Sequence, residues 1–369
     1  MKMTIDQHRA SPNVSLESYT RSCQIQLAIS LERKRAIYLD LKFWIALRDV
    51  EMGVSGDSLT LELLGALRQL VSNGKAYCPI SESTFLEVFK QGDALTRRAT
   101  AALVDELSRG VTLIPFDLRI GTEIAYFIHS RLTTDNVHPL PHLVWTKLSY
   151  VLGYVHPTST QFDPATELAV QKAFFDHMWT ISLTEMIDRI GAMERIPHSF
   201  DTLAVRLNAE NKKHAATLRS FEHTYSLELN GVLDLYAERA ADVLNQIAQR
   251  ATGSSAARGE PEWIEQERAC RNLLIAAFKQ DATKDVMRTI HINTCLHACV
   301  RWNKLQQFKT NDFFDFHHAA AALGYCDAFF TERPLCAMVK RSDIALDQRF
   351  DCHVGSTVSE ALAYLKTIA

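Results

Sequence analysis

The sequence predicts an α/β protein, with a parallel sheet covered by helices and interrupted by a large all-α insertion. Three observations carry this. Short apolar runs alternate with amphipathic stretches over the first third of the chain, the pattern of strand–helix–strand units. The middle, from about residue 120 to 300, shows long helical periodicity and few strand signals. The alternation then returns after residue 310. The expected division is residues 1–35 as an N-terminal arm and helix, 36–120 as the first part of the core, 121–300 as the helical insertion and 301–369 as the second part of the core.

In chain order, residues 1–20 are polar and aperiodic and read as a loose arm or lid, followed by a helix over Arg21–Arg35. Ala36–Asp40, "AIYLD", is a short buried strand, and "LKFWIALRDVEMG" is a helix. "SLTLELLGALRQLVSNGK" is an amphipathic helix that Asn73-Gly74 stops. "AYCPI" is a second strand, and Ser81 then serves as N-cap of "SESTFLEVFKQ". Residues 94–109 form a helix, and Val111–Phe116 forms a third strand. Past the middle, "DFFDFHHAAAALGY" is a helix, "CDAFFT" a strand, "RPLCAMVKRS" a helix, "FDCHVG" a strand and "STVSEALAYLKTIA" a closing helix.

Composition bounds the class of protein. A hydrophobic content of 47% suffices for a real core. No run approaches the roughly 18 apolar residues of a membrane span, and the N-terminus has no apolar stretch of a secretory signal. Eight scattered cysteines with no CxxC pair read as reduced, buried thiols of a cytoplasmic protein. The net charge of −3 gives no global electrostatic case for nucleic acid, which leaves a local basic groove as the only such route. There is no P-loop, GxGxxG or GxSxG motif.

The chemistry-bearing residues are carboxylates. In parallel α/β sheets, ligands bind outside the carboxyl ends of the strands. Asp40 ends the first strand, although Asp is depleted in strands, and Glu332 follows the strand "CDAFFT". Asp312 and Asp315, three residues apart, open the intervening helix on one face, and Glu87 lies two turns into its own helix. Such a group of like charges calls for a counter-cation. Mg²⁺ or Mn²⁺ takes oxygen ligands, and a pair of such ions can activate water for phosphodiester cleavage. Against this stand plainer readings: Asp312 or Asp315 as a helix N-cap, Glu82 as a solvated first-turn residue, and Glu332 as an exposed loop acid.

Basic residues lie close by. Lys42 follows Asp40 and can reach a phosphate, and Arg301, Lys304 and Lys309 with Trp302 precede the acids. His291, Cys295 and Cys299 have the helical spacing of zinc ligands, but no second pair accompanies them, so core packing is the stronger reading. His317 and His318 read as helix-face histidines, with contact to a phosphate or carboxylate as the alternative.

The segments "IYLDLKFWIAL", "CPISESTFLEV" and "TNDFFDFHHAAAALGYCDAFFTERPL", with the closing strand and helix, resemble a PIN-domain nuclease. The resemblance implies a three-layer PIN-like core and a metal-dependent endonuclease that acts on RNA more often than DNA, in toxin, defence or processing roles. It implies that Asp40, Glu87, Asp312 and Asp315 bind Mg²⁺ or Mn²⁺, with Glu332 as a fifth acid, and that Thr331 places a hydroxyl near them. Lys42, Thr331 and Lys309 are the expected substrate contacts. The turn departs from the family pattern, because Arg333 stands where many members have Asp. That departure leaves a second expectation open, a catalytically inactive scaffold that binds RNA or a protein partner. The helical insertion is the expected surface for a protein partner or a second copy.

Overall fold

A computed structural model describes residues 4–132, 137–191 and 200–368. Residues 1–3 of the expected arm, residues 133–136 and 192–199 of the expected insertion, and Ala369 lie outside the described residues. Helices dominate, around a small parallel sheet of four strands. The strands are β1 (Arg35–Leu39), β2 (Ala76–Tyr77), β3 (Val111–Leu113), β4 (Trp145–Lys147), β5 (Ala328–Phe330) and β6 (His353–Gly355). The parallel sheet has the order β2-β1-β5-β6. Ile37 to Leu39 of β1 pair in register with Ala328 to Phe330 of β5, which pair in turn with His353 to Gly355.

Both faces of this sheet are buried, which is why its strands read as continuous apolar runs. On one face Ile37, Leu39, Ala328 and Phe330 pack with Phe43, Leu63 and Leu362, from the helices Leu41–Glu51, Ser58–Ser72 and Val358–Ile368. On the other face Tyr38 and Phe329 pack against Ala319 to Leu323 of the helix Thr310–Tyr325, backed by Leu296 of Arg288–Trp302. The sheet is therefore the middle of three layers. Four consecutive buried alanines let the Thr310–Tyr325 helix approach the sheet closely. A second close approach falls at Gly355, where a Cβ would come within 3.1 Å of the Phe330 ring.

The expected third strand behaves differently from its expected place in the parallel sheet. β3 pairs antiparallel with β4, and only an isolated parallel bridge between Ile80 and Thr112 ties this pair to the β2 edge. β4 lies inside the span expected to be all helix. Three residues are too few to show an alternating pattern, and the partner that an exposed β3 edge requires is supplied from a distance. Nor is the middle segment a body apart. Its Arg288–Trp302 helix fills one face of the core, and Trp145 of β4 meets the Tyr77 ring edge-on at 5.6 Å. A separate helical core joins Ile124 and Phe127 of Phe116–Leu132 to Leu233 of the long helix Phe221–Thr252 and Leu274 of Pro261–Ala277.

The N-terminal stretch, expected as a loose arm, is folded and anchored. Ile5–Arg9 is a helix closed by a capping box between Thr4 and Gln7, and Leu16–Leu31 is a longer helix. Buried His8 meets Asp176 at 2.8 Å, the Tyr19 hydroxyl donates to the same carboxylate at 2.7 Å, and Lys172 donates to Ser11 O at 3.0 Å. These partners lie far off in sequence, so a polar, aperiodic stretch gave no sign of them. All eight cysteines are unpaired, and all but Cys23 are buried. Among the described residues no helix is long and apolar enough to cross a membrane.

Candidate functional site

Sequence order reverses across the sheet between β1 and β5, because the chain runs from β1 outward to β2 and from β5 outward to β6. At such a switch point the connections leave a crevice at the carboxyl ends of the two central strands. Asp40 and Thr331 sit there. Asp40 continues β1, its amide donating to Phe330 O at 3.0 Å, and Thr331 continues β5, its amide donating to Gly355 O at 2.9 Å.

Asp40 is 5% exposed and caps the Leu41–Glu51 helix by accepting from the Lys42 amide at 3.0 Å. Burial raises its carboxyl above the usual range. A hydrogen bond with Thr331 and the nearby His318 pull it down again, while the charges of Glu87 and Glu332 push it up. Asp315 lies one turn further along the Thr310–Tyr325 helix than the residues that open it. Burial pushes its carboxyl up to about 7; His318 opposes this, and Glu87, Asp40 and Glu332 reinforce it. Four acids from distant parts of the chain thus lie within electrostatic reach of one another.

Glu87 comes from the helix Glu82–Lys90 and is fixed by a buried polar chain. His318 Nε2 lies 2.8 Å from Glu87 Oε2, and His318 Nδ1 lies 2.6 Å from the Tyr38 hydroxyl. Tyr38 is bonded in turn to Ser81 Oγ at 2.5 Å and Thr84 Oγ1 at 3.1 Å. Burial alone disfavours the imidazolium, but Tyr38 and Glu87 raise the His318 pKa well above its ordinary value. A protonated His318 donates through both nitrogens, to Tyr38 and to Glu87. Among the described residues it is the buried cationic group bonded into the cluster. The sequence offered a faint signal for it: Tyr38 and His318 are polar tips on otherwise apolar faces.

The remaining predicted residues have different surroundings. Asp312 is the third residue of its helix rather than the N-cap weighed for it, and its carboxylate accepts from the Lys309 amide at 2.9 Å. Lys309 is the N-cap of that helix, and both residues line the same groove as Asp315. Glu332 is exposed at the N-cap of Arg333–Val339 and makes no side-chain capping bond. Ser81 is an N-cap by position but leaves its helix uncapped, because its hydroxyl serves Tyr38 instead. Glu82 is not merely solvated: it accepts from the Phe116 amide at 3.1 Å.

Arg301 is withdrawn from the expected basic stretch. It donates to Asn211 Oδ1 at 2.7 Å and pairs with Glu228. Arg97 is likewise withdrawn, 5% exposed and donating to Gln91 O. The cations near the acids are exposed Lys42 and Arg333, which line one shallow pocket with Phe43, and Lys90, whose ammonium lies 3.7 Å above the Phe314 ring. Lys90 was not among the expected contacts. His317 is stacked on Phe116 with centroids 4.0 Å apart, and burial lowers its pKa to about 3, so it is a packing residue. His291 is bonded to the Tyr225 hydroxyl at 2.8 Å, and burial pushes the Cys295 thiol far up, the opposite of a zinc thiolate.

The donor set suits a hard cation. It is all carboxylate oxygen, and Asp40 and Asp315 are both held above their usual range, first by burial and then by neighbouring acids. Among the described residues no three His, Cys, Asp or Glu side chains form a ready-made metal cage. Mg²⁺ does not need one, since it keeps several waters and commonly takes only one or two protein carboxylates. Asp40 and Asp315 are the two acids that could offer it oxygens. Comparison with protein-family models, with curated proteins and with solved structures gives no match. What the fold and site define by themselves is a helix-rich α/β protein with an acidic cluster at the switch point of its parallel sheet.

Proposed function

We propose that this chain is a Mg²⁺- or Mn²⁺-dependent endonuclease with a PIN-like core, hydrolysing phosphodiester bonds in RNA in preference to DNA. The observation that carries the reading is that Asp40, at the carboxyl end of β1, and Asp315, on the helix that precedes β5, come from opposite ends of the chain to lie close enough for the Asp40 charge to raise the Asp315 carboxyl. Asp40 and Asp315 would hold the cation, with Glu87 completing the field from its seat on His318. Such a cation supplies an activated water and offsets charge on the attacked phosphate. Thr331 orients Asp40 through its hydroxyl. Lys42 and Arg333, on the rim beyond β1 and β5, are placed to bind flanking phosphates. The choice of RNA rests on the family resemblance, not on a residue that reads the sugar.

A second reading has its own support. Glu87 is already committed to His318, and Arg333 stands where the resembled family often has an acid, as a non-catalytic scaffold would allow. Two measurements separate them. The purified protein is expected to bind Mn²⁺ by calorimetry and to cut RNA oligonucleotides in its presence. Asp40→Asn is expected to reduce cutting by roughly two orders of magnitude or more, the scale of losing a group that meets developing charge. Cutting that survives Asp40→Asn defeats the assignment; absence of Mn²⁺ binding leaves the scaffold.

A further inference from the structure

Beside Asp315 opens a groove of about 640 Å³, between the loop 303–309 and the helix Arg333–Val339. Its volume is that of a site enclosing one small organic molecule, hence a nucleotide or two rather than a duplex. Its lining includes half-buried Met338 with buried Leu335 and Phe316. The loop "NKLQQFK" contributes Gln306, Gln307 and Leu305 to the same lining. Leu305 is 97% exposed, an apolar side chain with nothing packed on it.

The loop is built rather than slack. Asn208, on the helix Asp201–His214 of the middle segment, grips it with both ends of its amide: Nδ2 donates to Phe308 O at 2.9 Å, and Oδ1 accepts from the Phe308 amide at 2.8 Å. Phe308 is buried, stacked on Phe313 with centroids 5.8 Å apart. At the tip, the Gln306 amide donates to Asn303 O at 2.8 Å, and Asn303 Nδ2 reaches Gln306 Oε1 at 3.4 Å. That leaves the Gln306 amino group and the whole Gln307 amide turned to no protein partner among the described residues.

A carboxamide presents a donor and an acceptor side by side, the pattern that pairs with the edge of adenine. Half-buried Met338 in the same groove offers an apolar contact for the face of a base. We propose that Gln306 and Gln307 select the base next to the cleaved phosphate, that this base is adenine, and that the inserted helix bearing Asn208 exists in part to hold the selecting loop beside Asp315. The proposal rests on the nuclease reading for the word "cleaved", but not for the contact between base and groove.

The test is a random single-stranded RNA pool cut in Mn²⁺, with the fragment ends sequenced. Wild type is expected to enrich adenine beside the cut by about tenfold, the discrimination of one good amide–base pair. The double variant Gln306→Ala, Gln307→Ala is expected to flatten that bias to within about twofold. Asn208→Ala, which frees the loop without touching the amides, is expected to weaken it partway. An unbiased wild type, or a bias that persists in the double variant, overturns the proposal. If the protein cuts nothing, the nuclease reading falls alone. The groove is then read by fluorescence anisotropy with labelled oligoadenylate and oligouridylate in EDTA. Tighter binding of oligoadenylate that the double variant loses supports the proposal; equal binding, or none, overturns it.

Discussion

Among the described residues two carboxylates, fully buried Glu123 and half-buried Asp315, are pushed to about 7, and they arrive there by opposite routes. Glu123, on the helix Phe116–Leu132, is fully buried and fully partnered. It accepts from the Thr289 amide at 3.0 and 3.1 Å, from Thr289 Oγ1 at 2.5 Å and from the Tyr325 hydroxyl at 2.5 Å. Burial raises it, while those bonds and the charges of Arg119 and Arg288 pull it down. Asp315 is raised by burial and then by three other acids, and among the described residues no hydrogen bond to its carboxylate offsets this. One carboxylate ties three helices together; the other is left with a repulsion that an outside cation would relieve. A perturbed acid alone does not mark a functional site. The sign of its neighbours does.

Swapping each acid for its amide breaks the comparison most sharply. Asp315→Asn is expected to lower Mn²⁺-dependent cutting by roughly a hundredfold or more and to leave the melting temperature equal or higher at pH 8. Glu123→Gln is expected to do the reverse. Its amide places a donor among donors, for a loss of about 1–3 kcal/mol in urea unfolding, with activity per folded molecule retained. Equal loss of activity in both variants would erase the distinction.

A smaller effect is expected in the pH dependence of stability. Both acids hold their proton in the folded state at pH values where the unfolded chain has lost it. At these two groups the native state therefore binds more protons, and their contribution to stability is greatest below about pH 4, falls as pH rises toward about 7, and levels off above. Asp315→Asn should remove at least about 1.4 kcal/mol of that fall between pH 5 and 8, one pH unit's worth. Saturating Mg²⁺ should flatten the Asp315 part and leave the Glu123 part. A pH profile unchanged by both treatments argues against a cation at Asp315.

A comparable effect is expected at His318. His318→Gln keeps a donor toward Glu87 but loses the positive charge, so Mn²⁺ affinity or cutting should change by about 10–100-fold, the usual range for groups that orient metal ligands. His318→Asn, too short to bridge Glu87 and Tyr38, should do worse than His318→Gln. Equal values for the two would reduce His318 to packing.

Much of the architecture was legible in the linear chain. β1, β5 and β6 are short apolar runs between breakers, buried on both faces, so they announced themselves without alternation. The helix that carries Asp315 declared itself through its small, apolar run. The partnership of β3 and β4 was not legible, since three-residue strands carry no period. The N-terminal helices were obscured because their anchors, Asp176 and Lys172, lie far along the chain. Within the site, Asp40 and Asp315 could be singled out by position. Asp312 could not be told from them, because an acid that caps its own helix and one that faces a cluster look alike until the helix register and the neighbouring strand are known.

What the sequence determined by itself is local: which runs are apolar enough to be strands, where helices start and stop, and which strand ends carry acids. Tertiary structure alone decided which of those ends became neighbours. Asp40 and Thr331 meet because β1 and β5 pair in register at the switch point. Glu87 points inward because Tyr38 and His318, from two other elements, hold it there. Apolar periodicity is written residue by residue, whereas repulsion between carboxylates depends on distance through space, and that distance is set only once the sheet has closed.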